Sequence, residues 1–379
     1  MNIYLDLEEL DRVPYPQYAT TSDIMRISGN NTGNFAFRHA LKIIVNELPN
    51  YKICNWATAQ DLINRGAQVE KVILSCANWL GLSEQDERSN LVRAKILENL
   101  DSQIVAFGLG AQASSASSDV QLGPNTLRLA RIISKKSVSV SVRDEFTKDL
   151  LNREGIYNVV VTGCPSNFIN TDSEFISKLK ERINFSGEKS FANRKHIIGE
   201  FSGGNKHSGE ILKSTLEFMR QFPSFYAIQS PVLYPFYLNE NDELPSPYIA
   251  NRPSSYSPEE CKQLLKQKMI GFQSMDSWLD FSRTCDISFG MRIHGNMIPL
   301  QAGVPAVLIA HDSRTSGLGS VMSIPKVSAA EFAQTKIDDV SNLLLSRFKE
   351  GLGEYTEKRE FLREVFRNFI NENGFTTKL

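Results

Sequence analysis

Arg292, His294 and Arg314 fall in one stretch, GMRIHGNMIPLQAGVPAVLIAHDSR at residues 290–314. Guanidinium groups hold anions with fixed, forked donors, and an imidazole changes charge near neutrality. Together they suit a ligand carrying phosphate or carboxylate and a reaction that moves a proton. The preceding CDISFG at 285–290 reads as a strand, NMIPLQAG as a helix ending at Gly303, and PAVLIA as the next buried strand. In an open parallel sheet, residues just past a strand's carboxyl end face the ligand crevice, and Arg292, His294 and the run His311, Asp312, Ser313, Arg314 all fall there. His294 is the candidate general acid/base and Arg292 the candidate anion clamp.

Other polar clusters repeat this placement. SVSVSVRD ends in Arg143 and Asp144, so Arg143 sits at a strand end. A structural arginine paired with a carboxylate fits that position as well as an anion ligand does, and Asp144 is placed to cap the next helix. GCPSNF at 163–168 brings Ser166 to another strand end. SGNNTGNFAFRHAL at 28–41 sets Asn31, Thr32 and Asn34 before a helix, where exposed amides favour polar or anionic ligands; plain N-capping accounts for the same residues. GLGAQ at 108–112 begins like a dinucleotide fingerprint but lacks the third glycine and an immediate helix, which leaves Gln112 as a cleft-loop residue. EFSGGNKHSGE places Gly203, Gly204, Lys206 and His207 before a helix. This favours phosphate, with a capped turn and a solvated lysine as the simpler alternative. The five histidines lack zincin spacing, no cysteine pairs suggest zinc, and there is no G-x-S-x-G elbow. These residues supply no metal-site motif, which leaves the use of a metal open.

The elements that must carry these residues alternate. KVILSCANWL, QIVAFGLGAQ, SVSVSVRD and NVVVTGCPS are apolar runs separated by amphipathic stretches, which is the βαβ rhythm of a doubly wound sheet. A polar interval follows, and HIIGEFSGG opens a second series. The economical reading is an α/β chain of two Rossmann-like domains with a cleft between them: residues 1–168, a crossover at 169–193, a second domain at 194–335 and a helical segment at 336–379. The segment at 233–260, rich in proline, tyrosine and asparagine, lacks either period and reads as a long ordered loop, serving as a surface excursion or a sugar-binding wall.

Net charge of −1 excludes a bulk electrostatic draw toward nucleic acid or anionic lipid, so any preference for anions must be local. Five scattered cysteines in apolar surroundings suit buried free thiols in a reducing compartment. An acidic N-terminus and the lack of a long apolar run give no signal peptide and no membrane span, so the protein reads as cytoplasmic. A place at the cytoplasmic face of a membrane stays open through partners or a lipid-linked substrate, and so does a homo-oligomer.

Taken together, N-N-T-G-N near the start, S-V-R-D-E-F at 141–146, G-C-P-S at 163–166, and R-I-H-G followed by G-V-P-A-V at 292–307 resemble the polysaccharide pyruvyl transferase family in order and separation. The resemblance implies a GT-B-like arrangement and transfer of pyruvate from phosphoenolpyruvate to a sugar as a ketal, with Arg143, Arg292 and His294 carried over as functional. One departure stands out. Members often carry Tyr and Lys after the Gly-Val-Pro strand, where this chain has His311 and Arg314; Arg binds phosphate more rigidly than Lys but does not readily donate a proton.

On this reading Arg143, Arg292, Arg314 and Lys206 hold the donor, with His207, His311 and Ser166 also on the substrate side. Asn31, Asn34 and Gln112 meet the acceptor on the N-terminal side, a hexose or N-acetylhexosamine of a polysaccharide or lipid-linked precursor. The chemistry requires no redox cofactor or metal. A GT-B glycosyltransferase using a nucleotide sugar is the alternative, and a catalytically silent carbohydrate-binding protein a third.

Overall fold

A computed structural model describes residues 1–112, 120–203, 207–310 and 313–379. Parallel pairing starts at the N-terminus, where β1 (Asn2–Asp6) lies between β2 (Lys52–Asn55) and β3 (Lys71–Ser75). A two-residue strand, β4 (Leu80–Gly81), follows β3. β5 (Gln103–Phe107) pairs with β3 to complete the order β2-β1-β3-β5. β6 (Ala111–Gln112) pairs with β4, while β7 (Val140–Val142) pairs with β8 (Val159–Val161). A parallel bridge from Leu109 to Val142 joins this last pair to the end of β5. Helices flank the sheet. The apolar runs that lack alternation form its strands, because both faces are covered.

The second sheet is also parallel. Its six strands are β9 (His196–Gly199), β10 (Ser224–Ile228), β11 (Met269–Gly271), β12 (Ile287–Gly290), β13 (Ala306–Ala310) and β14 (Lys326–Ser328), in the order β11-β10-β9-β12-β13-β14. The chain builds outward from β9 in one direction and then, from β12, in the other. The switch point therefore lies between β9 and β12, where open α/β sheets hold their ligands. Close approach of two glycines opens this point: a Cβ on Gly290 would lie 2.8 Å from the backbone of Gly199. The two α/β halves and the cleft between them form the GT-B-like arrangement.

The polar interval after the first sheet contains the helix Phe175–Glu188. It rests on the second half: Ser186 Oγ donates to Asp286 O, and Lys189 Nζ lies 2.7 Å from Asp286 Oδ1. The last helix, Val340–Glu372, runs 33 residues, about 50 Å at the usual rise. It begins against the second sheet and ends on the first, with Phe366 edge-on to Phe168 and Phe369 edge-on to Phe107. Buried Arg359 on this helix donates to the carbonyls of Asn167 and Asn170. A single apolar core accordingly runs through both halves, and a second lies under the other face of the first sheet.

The segment at 233–260 corrects the sequence reading. It holds the short helices Tyr234–Tyr237 and Ser246–Ala250, and Tyr234, Phe236 and Tyr248 are buried. The Tyr248 hydroxyl lies 3.1 Å from that of Tyr226 on β10. Helices this short show no period in sequence, and their rings fill the core instead of forming a wall for sugar. All five cysteines are free and buried. No helix among the described residues is long and apolar enough to cross a membrane.

Candidate active site

A cavity of about 320 Å³ opens between the carboxyl ends of the two sheets, and the residues directly after several strands line it. From the first half come Arg143 and Asp144 after β7. Arg143 is nearly buried, donates from Nη1 to Asn78 Oδ1 at 2.8 Å, and holds its guanidinium 5.7 Å from the centre of the Phe37 ring. Asp144 accepts from Thr147 N at 2.8 Å and so starts the helix Glu145–Arg153 while still facing the cavity. The capping role foreseen for Asp144 is observed.

The turn at residues 31–34 supplies the next part of the wall. Asn31 Oδ1 accepts from Gly33 N at 2.9 Å, and Asn34 Nδ2 donates to the carbonyls of Ser28 and Gly29. Both asparagines line the cavity, so structural bonding and cavity placement coexist here. The helix Phe35–Ile44 that follows carries Phe37, whose ring contacts both Arg143 and, at 5.8 Å, the His294 ring.

The second half contributes Arg292 and His294. β12 ends at Gly290, Arg292 occupies the N-cap position, and His294 is in the first turn of the helix Ile293–Gln301. Asn296 fastens this corner by donating to the carbonyls of Gly290 and Arg292. Arg292 Nε lies 3.7 Å from Oε2 of Glu200, a buried carboxylate that also accepts from Gln229 N, Ser230 N and Ser230 Oγ. His294 Nε2 lies 3.5 Å from the thiol of Cys164, which accepts from Ser166 Oγ. Two guanidiniums and the positive end of a helix thus share one small cavity with the Asp144 carboxylate, and the guanidinium side of it suits an anionic group.

The structure therefore brings Arg143, Arg292, His294, Asn31 and Asn34 to one cavity. Ser166 is buried behind Cys164, outside the cavity wall. His207 also stands off the wall, with Nδ1 3.0 Å from Glu210 Oε2; Ser202, from the same strand-to-helix connection, reaches the cavity instead. Lys206 and His311 lie outside the described residues, as do the side chains of Gln112 and Arg314. Asn78, Glu200 and Gln229 were missed. Glu200 and Gln229 each directly follow a strand, and the strand-end rule applied to every strand finds them.

Parallel α/β halves with a cation-lined cavity between their strand ends define a GT-B-like protein. The profile of the polysaccharide pyruvyl transferases, a transferase family, matches residues 31–313, and the chain belongs to that family. No curated protein matches the chain. Solved structures similar to it include a UDP-N-acetylglucosamine 2-epimerase, with 8% identity, TM-score 0.46 and coverage of 98% of this chain and 96% of the other. A putative UDP-N-acetylglucosamine 2-epimerase from Listeria monocytogenes shows 10% identity and TM-score 0.44, covering 93% and 90%. The UDP-GlcNAc 2-epimerase from Methanocaldococcus jannaschii shows 12% identity and TM-score 0.42, covering 97% and 99%.

Proposed function

We propose that this chain transfers pyruvate from phosphoenolpyruvate to two hydroxyls of one sugar, forming a cyclic ketal and releasing phosphate. The observation that carries this reading is the convergence of Arg143, Arg292 and His294, from separate sheets, on a single cavity. Phosphoenolpyruvate bears a carboxylate and a phosphate close together. Two guanidiniums, one from each half of the molecule, can hold both groups and stabilise the departing phosphate.

His294 delivers a proton to the methylene carbon, and the double bond supplies the electron pair. The adjacent carbon becomes electron-poor, and one sugar hydroxyl adds there. Phosphate then leaves with the electrons of its carbon–oxygen bond, and the second hydroxyl closes the ring. Of the two hydroxyl protons released, one balances the proton now on the methyl group and the other leaves with phosphate. The acceptor is a hexose or N-acetylhexosamine of a cell-surface polysaccharide or its lipid-linked precursor; a lipid-linked acceptor would bring the reaction to the cytoplasmic face of a membrane.

The test is incubation of purified protein with phosphoenolpyruvate and methyl glycosides of common hexoses and N-acetylhexosamines. A mass gain matching a pyruvate ketal, with equal free phosphate and none in His294→Ala, is the expected result. Turnover of a nucleotide sugar in place of phosphoenolpyruvate would replace this reading with glycosyl transfer.

A further inference from the structure

Gln229 follows β10 directly and lines the cavity between the turn at 31–34 and the helix that carries His294. Its side chain is fully buried, yet neither Oε1 nor Nε2 has a hydrogen-bond partner among the described residues. Leaving a buried amide unpaired forfeits its hydration with nothing in return. Leucine or methionine would fill comparable space without that penalty, so the amide calls for a ligand-based explanation.

The side chain has little freedom to seek a partner elsewhere. Its backbone N–H donates to Glu200 Oε2 at 2.6 Å, and its carbonyl accepts from Thr32 N at 2.9 Å. A Cβ on Gly33 would come within 2.2 Å of Nε2, and one on Gly295 within 2.9 Å of Oε1. Both glycines therefore leave room for an amide pinned between the two halves of the molecule. Gly295 follows His294 immediately, so the amide is held beside the residue assigned the proton transfer.

From this geometry we infer that Gln229 binds a hydroxyl of the acceptor sugar and orients it toward the reacting carbon. The inference rests on the pyruvyl-transfer reading and adds the group that selects the acceptor. An uncharged amide offers one donor and one acceptor side by side, which matches a hydroxyl that both gives and takes a hydrogen bond. A phosphate or carboxylate oxygen would meet repulsion at Oε1 and is already served by Arg143 and Arg292. Gln229 is thus a specificity-determining contact, distinct from the donor clamp.

The experiment compares wild type with Gln229→Leu and Gln229→Met on the methyl glycoside that wild type converts, varying glycoside and phosphoenolpyruvate separately and recording thermal melts. The expected result is a KM for the glycoside raised about tenfold or more, with the KM for phosphoenolpyruvate little changed and a melting temperature equal to or above that of wild type. Removing an unsatisfied buried amide should not weaken the fold, so lost acceptor binding with retained stability separates a ligand contact from a packing role. A lowered melting temperature with unchanged kinetic constants in either variant overturns the inference while leaving pyruvyl transfer intact. Wild type that converts none of the glycosides with phosphoenolpyruvate overturns the parent reading and this one with it.

Discussion

The thiol of Cys164 lies 3.5 Å from Nε2 of His294, although the two residues reach the cleft from different sheets. Ser166 Oγ donates to the same sulfur at 3.1 Å, so the sulfur already accepts one hydrogen bond, and in the protonated form of His294 the Nε2–H can donate to it as well. Cys164 is therefore a positioning residue for His294. Cys164→Ala should lower kcat about tenfold to a hundredfold, as small misplacements of a reacting group do, while the melting temperature changes little. Cys164→Ser keeps a polar partner for the ring and should retain more activity than the alanine variant. The pH dependence of kcat for the three proteins checks this: an alanine variant with wild-type rate and profile would show that the contact has no role in orienting the ring.

Arg143 and Arg292 are held in different ways, and both depend on the planar guanidinium. Asn78 and the Phe37 ring fix Arg143, whereas Arg292 faces the Glu200 carboxylate. A lysine at either position keeps the charge and loses the fork. Arg143→Lys and Arg292→Lys should each reduce kcat/KM by about a hundredfold or more, with circular dichroism unchanged. Near-normal turnover in Arg292→Lys would remove it from the donor clamp.

Glu200 receives only donors: two backbone N–H groups and the Ser230 hydroxyl. Glu200→Gln removes the charge; its NH₂ group would face two backbone N–H donors at the Oε2 position, and at the Oε1 position the Ser230 hydroxyl would have to turn and accept. Loss of charge-assisted bonds at a buried site should cost about 2–3 kcal/mol of stability, read as a lower urea midpoint. Activity should fall as well, because Arg292 loses its counter-charge. A variant as stable as wild type would mean that the loops around Gln229 hold their shape without the carboxylate.

Arg292 and His294 were legible in sequence because an unusual pair of residue types stood at a clear strand end. Glu200 and Gln229 occupy equivalent positions after β9 and β10, but an acid and an amide at a strand end are common and drew no attention. Asn78 and Cys164 owe their interest to partners distant along the chain, Arg143 and His294, and periodicity carries no information about such contacts. The alternation of apolar and amphipathic runs sufficed for two parallel sheets. It failed at 233–260, where helices of one turn are too short to show a period and buried tyrosines resemble an exposed aromatic loop.

His196, at the start of β9, is buried away from the cavity, with Nε2 3.1 Å from Ser341 Oγ and Nδ1 3.2 Å from the carbonyl of Pro223. Burial disfavours its charged form and pushes its pKa down from 6.5 to about 4, only partly opposed by the Pro223 carbonyl and Asp286. Between those values the unfolded chain binds a proton that the folded protein does not. The contribution of this group to stability is therefore full above pH 6.5 and is lost as pH falls toward 4, by on the order of 3 kcal/mol. Thermal melts from pH 7.5 to 4.5 should show a progressive fall in wild type that is flatter in His196→Gln, where no imidazole remains to titrate. Parallel curves for the two proteins would assign the acid sensitivity to other groups.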